Sequence, residues 1–188
     1  MKNISLKKNR EKGFTLIETL IAITILMISV AAPLSLASKG LQAANLAKNQ
    51  IVAYYLAQDA YEWVKNKTDM NKIKNIPYGG GGQNGMIDGL DDCSSDTNSK
   101  CIINTLESPD ITSAVDRYTG QKLKVDNGVY SYGASGQDSI FKRYIHVERV
   151  DRGDASKLDE ALIQVTVEWN VPYTGTQKYV LTGHIANW

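Results

Sequence analysis

The longest apolar run of the chain lies close to its N-terminus. From Phe14 to Ser38 the sequence carries one charged side chain, Glu18. These 25 residues are long enough to cross a bilayer once as a helix. An ionisable side chain inside such a run is costly, so we expect Glu18 to have a function.

A strongly basic leader precedes the apolar run. Residues 1–13 contain five basic side chains and one acidic one, which gives the leader a charge of +4. Basic residues flanking a span stay on the cytoplasmic side. The leader is therefore predicted to be cytoplasmic, and the chain after Lys39 to lie on the far side of the membrane.

A second helical pattern follows. Between Gly40 and Lys67 there is no proline and no further glycine. Apolar residues recur at spacings of three and four, which is typical of an amphipathic helix with one buried face. This predicted face holds Leu41, Ala44, Leu46, Ala47, Ile51, Val52, Tyr55, Leu56, Ala60, Trp63 and Val64. The two patterns together predict one helix from Phe14 to Lys67, with Pro33 and Gly40 as its weak points.

The C-terminal third is typical of strands. Phe141 to Val150 alternates, and residues 161–170 alternate strictly, with Ala161, Ile163, Val165, Val167 and Trp169 on one face. Residues 179–185 alternate again after a turn containing Pro172 and Gly175, and residues 128–133 form a short candidate strand. We therefore predict an α+β fold, in which a long N-terminal helix packs on a small antiparallel β-sheet. The first half of this helix would span the membrane and its second half would be amphipathic.

The region from Asn75 to Gly89 is rich in glycine and predicts a flexible loop. Gly80, Gly82 and Gly85 formally match a dinucleotide-binding fingerprint. That fingerprint requires a preceding strand and a following helix. Here a long helix precedes it, so the match carries no functional weight.

Cys93 and Cys101 are the only cysteines, and they flank a short polar segment. Outside the cytoplasm this arrangement favours a disulfide over free thiols or a metal site. Asp88, Asp91, Asp92 and Asp96 crowd the same segment. Carboxylates so grouped are able to bind calcium, but no EF-hand spacing is present and turn chemistry explains them better. We predict no metal and no cofactor.

The charge balance and the missing motifs exclude several functions. The whole chain has a net charge of +1, and removing residues 1–13 leaves sixteen basic and nineteen acidic residues, a charge of −3. Such a chain is not a basic nucleic-acid surface, so no nucleic-acid partner is expected. The sequence contains no nucleophile elbow, HExxH motif or Walker loop, and no catalytic activity is predicted.

The segment KGFTLIETLIAITILM resembles the N-terminal processing signal of type IV pilins and of the pseudopilins of type II secretion. This resemblance implies that a prepilin peptidase cuts between Gly13 and Phe14 and methylates the new Phe14 amine. It also implies that Glu18 faces the amine of a Phe14 in a filament. The alternative for Glu18 is a protonated acid that is merely tolerated.

The resemblance also implies a domain plan and a function. Residues 1–13 would be the leader, 14–38 the transmembrane and filament-core helix, and 39–188 the exported globular domain. The expected partners are the prepilin peptidase, other pilin subunits, the inner-membrane assembly platform and the membrane itself. AYYLAQDAYEWVKNK and the last 24 residues are similar to minor pilins of the pilus-modification kind and their secretion counterparts. The expected function is a filament subunit acting in assembly, priming or tip display.

Two other interpretations of the N-terminus remain open. Signal peptidase could cut after the small-x-small triplet Ser35-Leu36-Ala37, or the run could be an uncleaved anchor. Either would make the protein an extracytoplasmic binding domain, secreted or attached to the membrane. Neither gives Glu18 a purpose.

Overall fold

The computed structural model describes residues 13–77, 84–94, 98–150, 160–172 and 175–186. The chain divides into two compact units, Met1–Asn45 and Leu46–Trp188. Helix α1, Leu16–Ile73, contributes to both. It continues through Pro33 and Gly40 without interruption, so neither predicted weak point ends it.

Helix α1 ends six residues later than the sequence predicted. Asn75 has a φ of 50°, its N–H donates to the Lys72 carbonyl at 3.0 Å, and the Ile76 N–H donates to the Asn71 carbonyl at 3.2 Å. This is the hydrogen-bond pattern of a Schellman cap. Lys67 therefore lies within the helix, and only 9% of it is exposed.

The second unit contains two antiparallel sheets. The larger has the strand order β2-β1-β6-β7-β8 and the smaller the order β4-β3-β5. The strands are β1 Cys101–Ile103, β2 Val115–Arg117, β3 Lys124–Asp126, β4 Val129–Ser131, β5 Gln137–Asp138, β6 Phe141–Val150, β7 Glu160–Val171 and β8 Gly175–Ala186. A short helix α2, Asp91–Ser94, precedes β1. The predicted α+β class and the antiparallel meander β6-β7-β8 are confirmed.

The core lies between one face of α1 and the inward side chains of the larger sheet. Strand β7 buries Ala161, Ile163, Val165, Val167 and Trp169, which is the alternation that its sequence predicts. The helix buries Ala53, Leu56, Ala57, Ala60, Trp63 and Val64 against it.

The predicted buried face of the helix was wrong toward its N-terminal side. Every described residue before Asn49 is exposed, including Leu41 and Ala44. Ile51 and Tyr55 are 58% and 64% exposed. In the second unit the partly buried Val52 packs against the core, and full burial of the helix starts at Ala53.

The connection after α1 is also less exposed than predicted. Gly80 and Gly82 lie outside the described residues, but Gly85–Ile87 forms a turn of 3₁₀ helix whose three residues are buried, and Leu90 is fully buried. The Asn71 side chain fixes this segment by donating to the carbonyls of Met86 at 3.0 Å and Asp88 at 2.9 Å. The segment 85–90 is thus part of the core.

Candidate functional site

The N-terminal segment brings Phe14, Thr15 and Glu18 together at the start of α1. Gly13 to Thr15 have no regular structure, and the helix begins at Leu16. The Thr15 carbonyl accepts from the N–H groups of Glu18 at 3.1 Å and Thr19 at 3.2 Å. Glu18 therefore lies in the first helical turn, where the helix dipole favours a negative charge.

The predicted methylation site, Phe14, and the predicted assembly residue, Glu18, are both exposed. Phe14 is 76% exposed, and Glu18 is exposed as well. The Glu18 carboxylate has no hydrogen bond and no ion pair to any residue in the described part of the chain. A cation that neutralises this carboxylate must therefore come from residues outside the described part of the chain or from another molecule.

Three hydroxyl groups of the apolar run are satisfied within the helix. Thr19, Thr24 and Ser29 each donate their hydroxyl to the backbone carbonyl three residues earlier, in every case at 2.8 Å. A polar group that is already hydrogen-bonded costs much less to place in a hydrocarbon environment. These three residues do not disturb the apolar character of the surface.

The surface of residues 14–38 is apolar along most of its length. Its exposed large side chains include Leu16, Ile17, Leu20, Ile21, Ile23, Ile25, Leu26, Met27, Ile28, Val30, Leu34 and Leu36. Among the described residues, α1 is the one helix long and apolar enough to cross a membrane. Surfaces this apolar are stable only in lipid or against another apolar surface.

The cysteines predicted to pair are joined in the structure. Cys93 on α2 and Cys101 on β1 form a disulfide with a Cα–Cα distance of 4.7 Å. Neither residue has exposed surface. The bridge therefore belongs to the core, although the residues between the cysteines are polar.

The aspartates near this bridge act as turn and surface groups. The Asp88 side chain accepts from the Asn84 N–H at 3.2 Å, and Asp91 accepts from the Asn84 side chain. Asp92 lies 3.8 Å from Arg117, and Asp96 lies outside the described residues. Where the chain is described, no three His, Cys, Asp or Glu side chains are grouped closely enough to hold a metal ion.

Sequence reasoning missed a buried charged group in the second unit. Arg143 occupies an inward position of β6 and is only 1% exposed. It donates to the Asp59 carboxylate and the Leu56 carbonyl at 2.9 Å, and to the Ile103 carbonyl at 3.0 Å. The one sequence signal for its burial was its position in the alternating pattern of β6, on the same face as Phe141 and Ile145.

Comparison with known proteins finds one match. Residues 8–32 match the family model described as the prokaryotic N-terminal methylation motif. Neither the curated proteins nor the solved structures give a significant match. The motif implies processing by a prepilin peptidase and assembly with other pilins, and with the apolar helix it is consistent with a membrane-anchored protein. The match to residues 8–32 supports a type IV pilin-like family for this chain.

Proposed function

We propose that this protein is a structural subunit, a minor pilin or pseudopilin, of a type IV pilus-like filament or secretion pseudopilus. The observation that carries the proposal is the coincidence of the methylation motif with an exposed apolar run, residues 14–38, that contains one acid, Glu18. Its role is assembly, priming or tip display, with no catalytic turnover.

The proposed maturation starts at the membrane. A prepilin peptidase cuts between Gly13 and Phe14 on the cytoplasmic side and methylates the new amine. Residues 14–38 then hold the subunit in the inner membrane while residues 39–188 lie outside the cytoplasm. The assembly platform later moves the subunit into the filament, where other apolar helices cover the same surface.

Glu18 would set the depth at which a subunit enters the filament. Its carboxylate has no cationic partner in the described chain, and an unpaired charge in an apolar environment is costly. The Phe14 amine of a neighbouring subunit supplies the missing cation. Only one axial offset brings the two groups together, so the correct register is favoured over others.

Intact-mass measurement of membrane-extracted protein tests the maturation step. The expected product lacks residues 1–13 and carries one methyl group on Phe14. A mature chain starting at Ser38 would instead establish an ordinary secretory signal, and an unprocessed chain would establish a plain anchor. Either of these results would replace the filament subunit by an extracytoplasmic binding domain.

Copurification tests the assembly step separately. Filaments or assembly complexes sheared from cells should contain the processed subunit in small amounts relative to the main subunit. Its complete absence from both would contradict a structural role even if processing occurs as proposed.

A further inference from the structure

An open cleft of ≈ 520 Å³ lies at one end of the larger sheet, where β7 turns into β8. Its lining residues are Lys122, Ile140, Lys142, Glu168, Trp169, Asn170, Pro172 and Thr176. The volume is within the usual range of small-ligand sites. Nothing in the proposed filament role uses this cleft.

Strand pairing places four of the lining residues side by side. Lys142 and Glu168 are directly opposite each other on β6 and β7, and Asn170 and Thr176 are opposite on β7 and β8. Side chains at these positions share one face of the sheet, because alternate residues of a strand point the same way. Lys122 is held beside them, since the next residue, Leu123, is hydrogen-bonded to the backbone of both Ser139 and Phe141.

The charges in the cleft favour an anion. Lys122 and Lys142 have no hydrogen bond or ion pair to any described residue. Glu168 is engaged by the Tyr144 hydroxyl, which donates to it at 2.8 Å. The three charged residues that line the cleft leave a net charge of +1, which favours one negative charge on the ligand.

The remaining lining groups favour a hydroxylated ligand of monosaccharide size. Asn170 and Thr176 offer an amide and a hydroxyl, and the Glu168 carboxylate is a further acceptor for hydroxyl donors. Ile140 and Pro172 provide apolar contact for the C–H face of a ring. A phosphate, with up to two negative charges, fits less well beside the Glu168 carboxylate.

We propose that this cleft binds an acidic sugar, with the ligand's carboxylate between Lys122 and Lys142 and its hydroxyl groups at Glu168, Asn170 and Thr176. The proposal stands apart from the filament role, because it concerns a surface of the exported domain and requires no assembly.

Calorimetric titration of the mature full chain in detergent tests the site, with sodium glucuronate, glucose and inorganic phosphate as probes. We expect glucuronate to bind in the millimolar range or tighter, and glucose and phosphate at least about fivefold more weakly. Lys122→Gln and Lys142→Gln should each weaken glucuronate binding by about fivefold or more.

Lys178→Gln is the matched control. Lys178 lies directly opposite Glu168 on β8 but does not line the cleft. Its removal lowers the local positive charge equally and should change glucuronate binding by less than about twofold. The proposal is overturned if glucuronate fails to bind up to roughly 10 mM, if glucose or phosphate binds equally well, or if all three lysine variants lose the same affinity.

Discussion

Arg143 of β6 and Asp59 of α1 form an ion pair of 2.9 Å that connects the sheet to the helix. The two partners differ in environment, since the Arg143 side chain is 1% exposed and the Asp59 side chain 51% exposed. The same guanidinium donates to carbonyl groups on α1 and β1. One buried side chain therefore ties three elements together.

Both partners should matter, for different reasons. Arg143→Met leaves the Leu56 and Ile103 carbonyls without this donor and should lower the free energy of unfolding by about 1–3 kcal/mol. Asp59→Ala leaves the buried guanidinium without its counter-charge and should destabilise the protein by about as much or more. Urea unfolding followed by circular dichroism measures both, with Lys142→Met as the control on the outward face of the same strand. Equal losses for Arg143→Met and Lys142→Met would show that the buried pair contributes nothing specific.

Gly183 of β8 lies against the Tyr61 ring of α1, so this position favours a residue without a side chain. A Cβ atom added at Gly183 would overlap the Tyr61 hydroxyl and ring carbons. Gly183→Ala should therefore lower the free energy of unfolding by about 1–3 kcal/mol, while Thr182→Ala on the exposed face should change it little. Adding Tyr61→Ala should recover part of the loss. Additive losses in the double variant would contradict this explanation.

The buried disulfide should resist chemical attack in the native protein. Alkylation before and after reduction is expected to label Cys93 and Cys101 only when the chain is both unfolded and reduced, because neither residue has exposed surface. The double variant Cys93→Ala, Cys101→Ala should be less stable by about 2–3 kcal/mol, the value for a short closed loop. Immediate labelling of both thiols in freshly exported protein would show that the mature protein lacks this disulfide.

Alkaline pH should destabilise the exported domain through Tyr132. Burial raises the pKa of Tyr132 to about 12, above its ordinary value of 10.0. The unfolded chain loses this proton first, so stability is fully present below pH 10 and falls as the pH rises toward 12. The loss reaches on the order of 2 kcal/mol.

Tyr132→Phe is the variant that isolates this effect. It removes the hydrogen bonds between the Tyr132 hydroxyl and the Arg143 backbone, so it should be less stable near pH 8 by about 1 kcal/mol. Its stability should then fall less steeply than that of the wild type between pH 10 and 12. If the stabilities of Tyr132→Phe and of the wild type fell equally steeply between pH 10 and 12, the alkaline loss of stability would belong to other groups. Tyr144, whose pKa burial also raises to about 12, is the first of these.

Sequence reasoning succeeded where one pattern determines one element. The strict alternation of β7 predicts a half-buried strand, and the uninterrupted helical pattern of residues 14–67 predicts a long helix. Sequence reasoning failed where an element forms only because a neighbouring strand hydrogen-bonds to it. Strands β1 to β3 have three residues each, too few for a periodic pattern, and they exist because neighbouring backbones complete their hydrogen bonds.

The position of Arg143 shows the same limit for side chains. A charged residue at an inward strand position contradicts the binary pattern, so sequence alone places it outside the core. The Asp59 carboxylate and the carbonyl groups of Leu56 and Ile103 compensate the burial of most of the guanidinium. The N-terminal motif was predictable because its residues are contiguous in the sequence. The cation proposed to pair with Glu18 belongs to another molecule, so the sequence of one chain does not show the pair.

Glu18→Val tests whether the acid is used or merely tolerated. The change keeps the helix apolar and removes only the group proposed to pair with a Phe14 amine. The variant should still be cut and inserted, because Gly13 and Phe14 are intact, but it should be depleted from sheared filaments or assembly complexes by about tenfold, as expected for the loss of roughly 1.4 kcal/mol of pairing energy.

Two further variants separate charge from helix packing. Thr24→Val removes a polar group whose hydroxyl is bonded only to the Ile21 carbonyl, and it should assemble like the wild type. Glu18→Gln keeps the shape of the side chain without its charge, and it should be depleted like Glu18→Val if an ion pair is required. Quantitative immunoblotting of filament and membrane fractions gives the ratio for each variant. Entry of Glu18→Val into filaments at the wild-type ratio would show that the pairing proposed for Glu18 does not guide assembly.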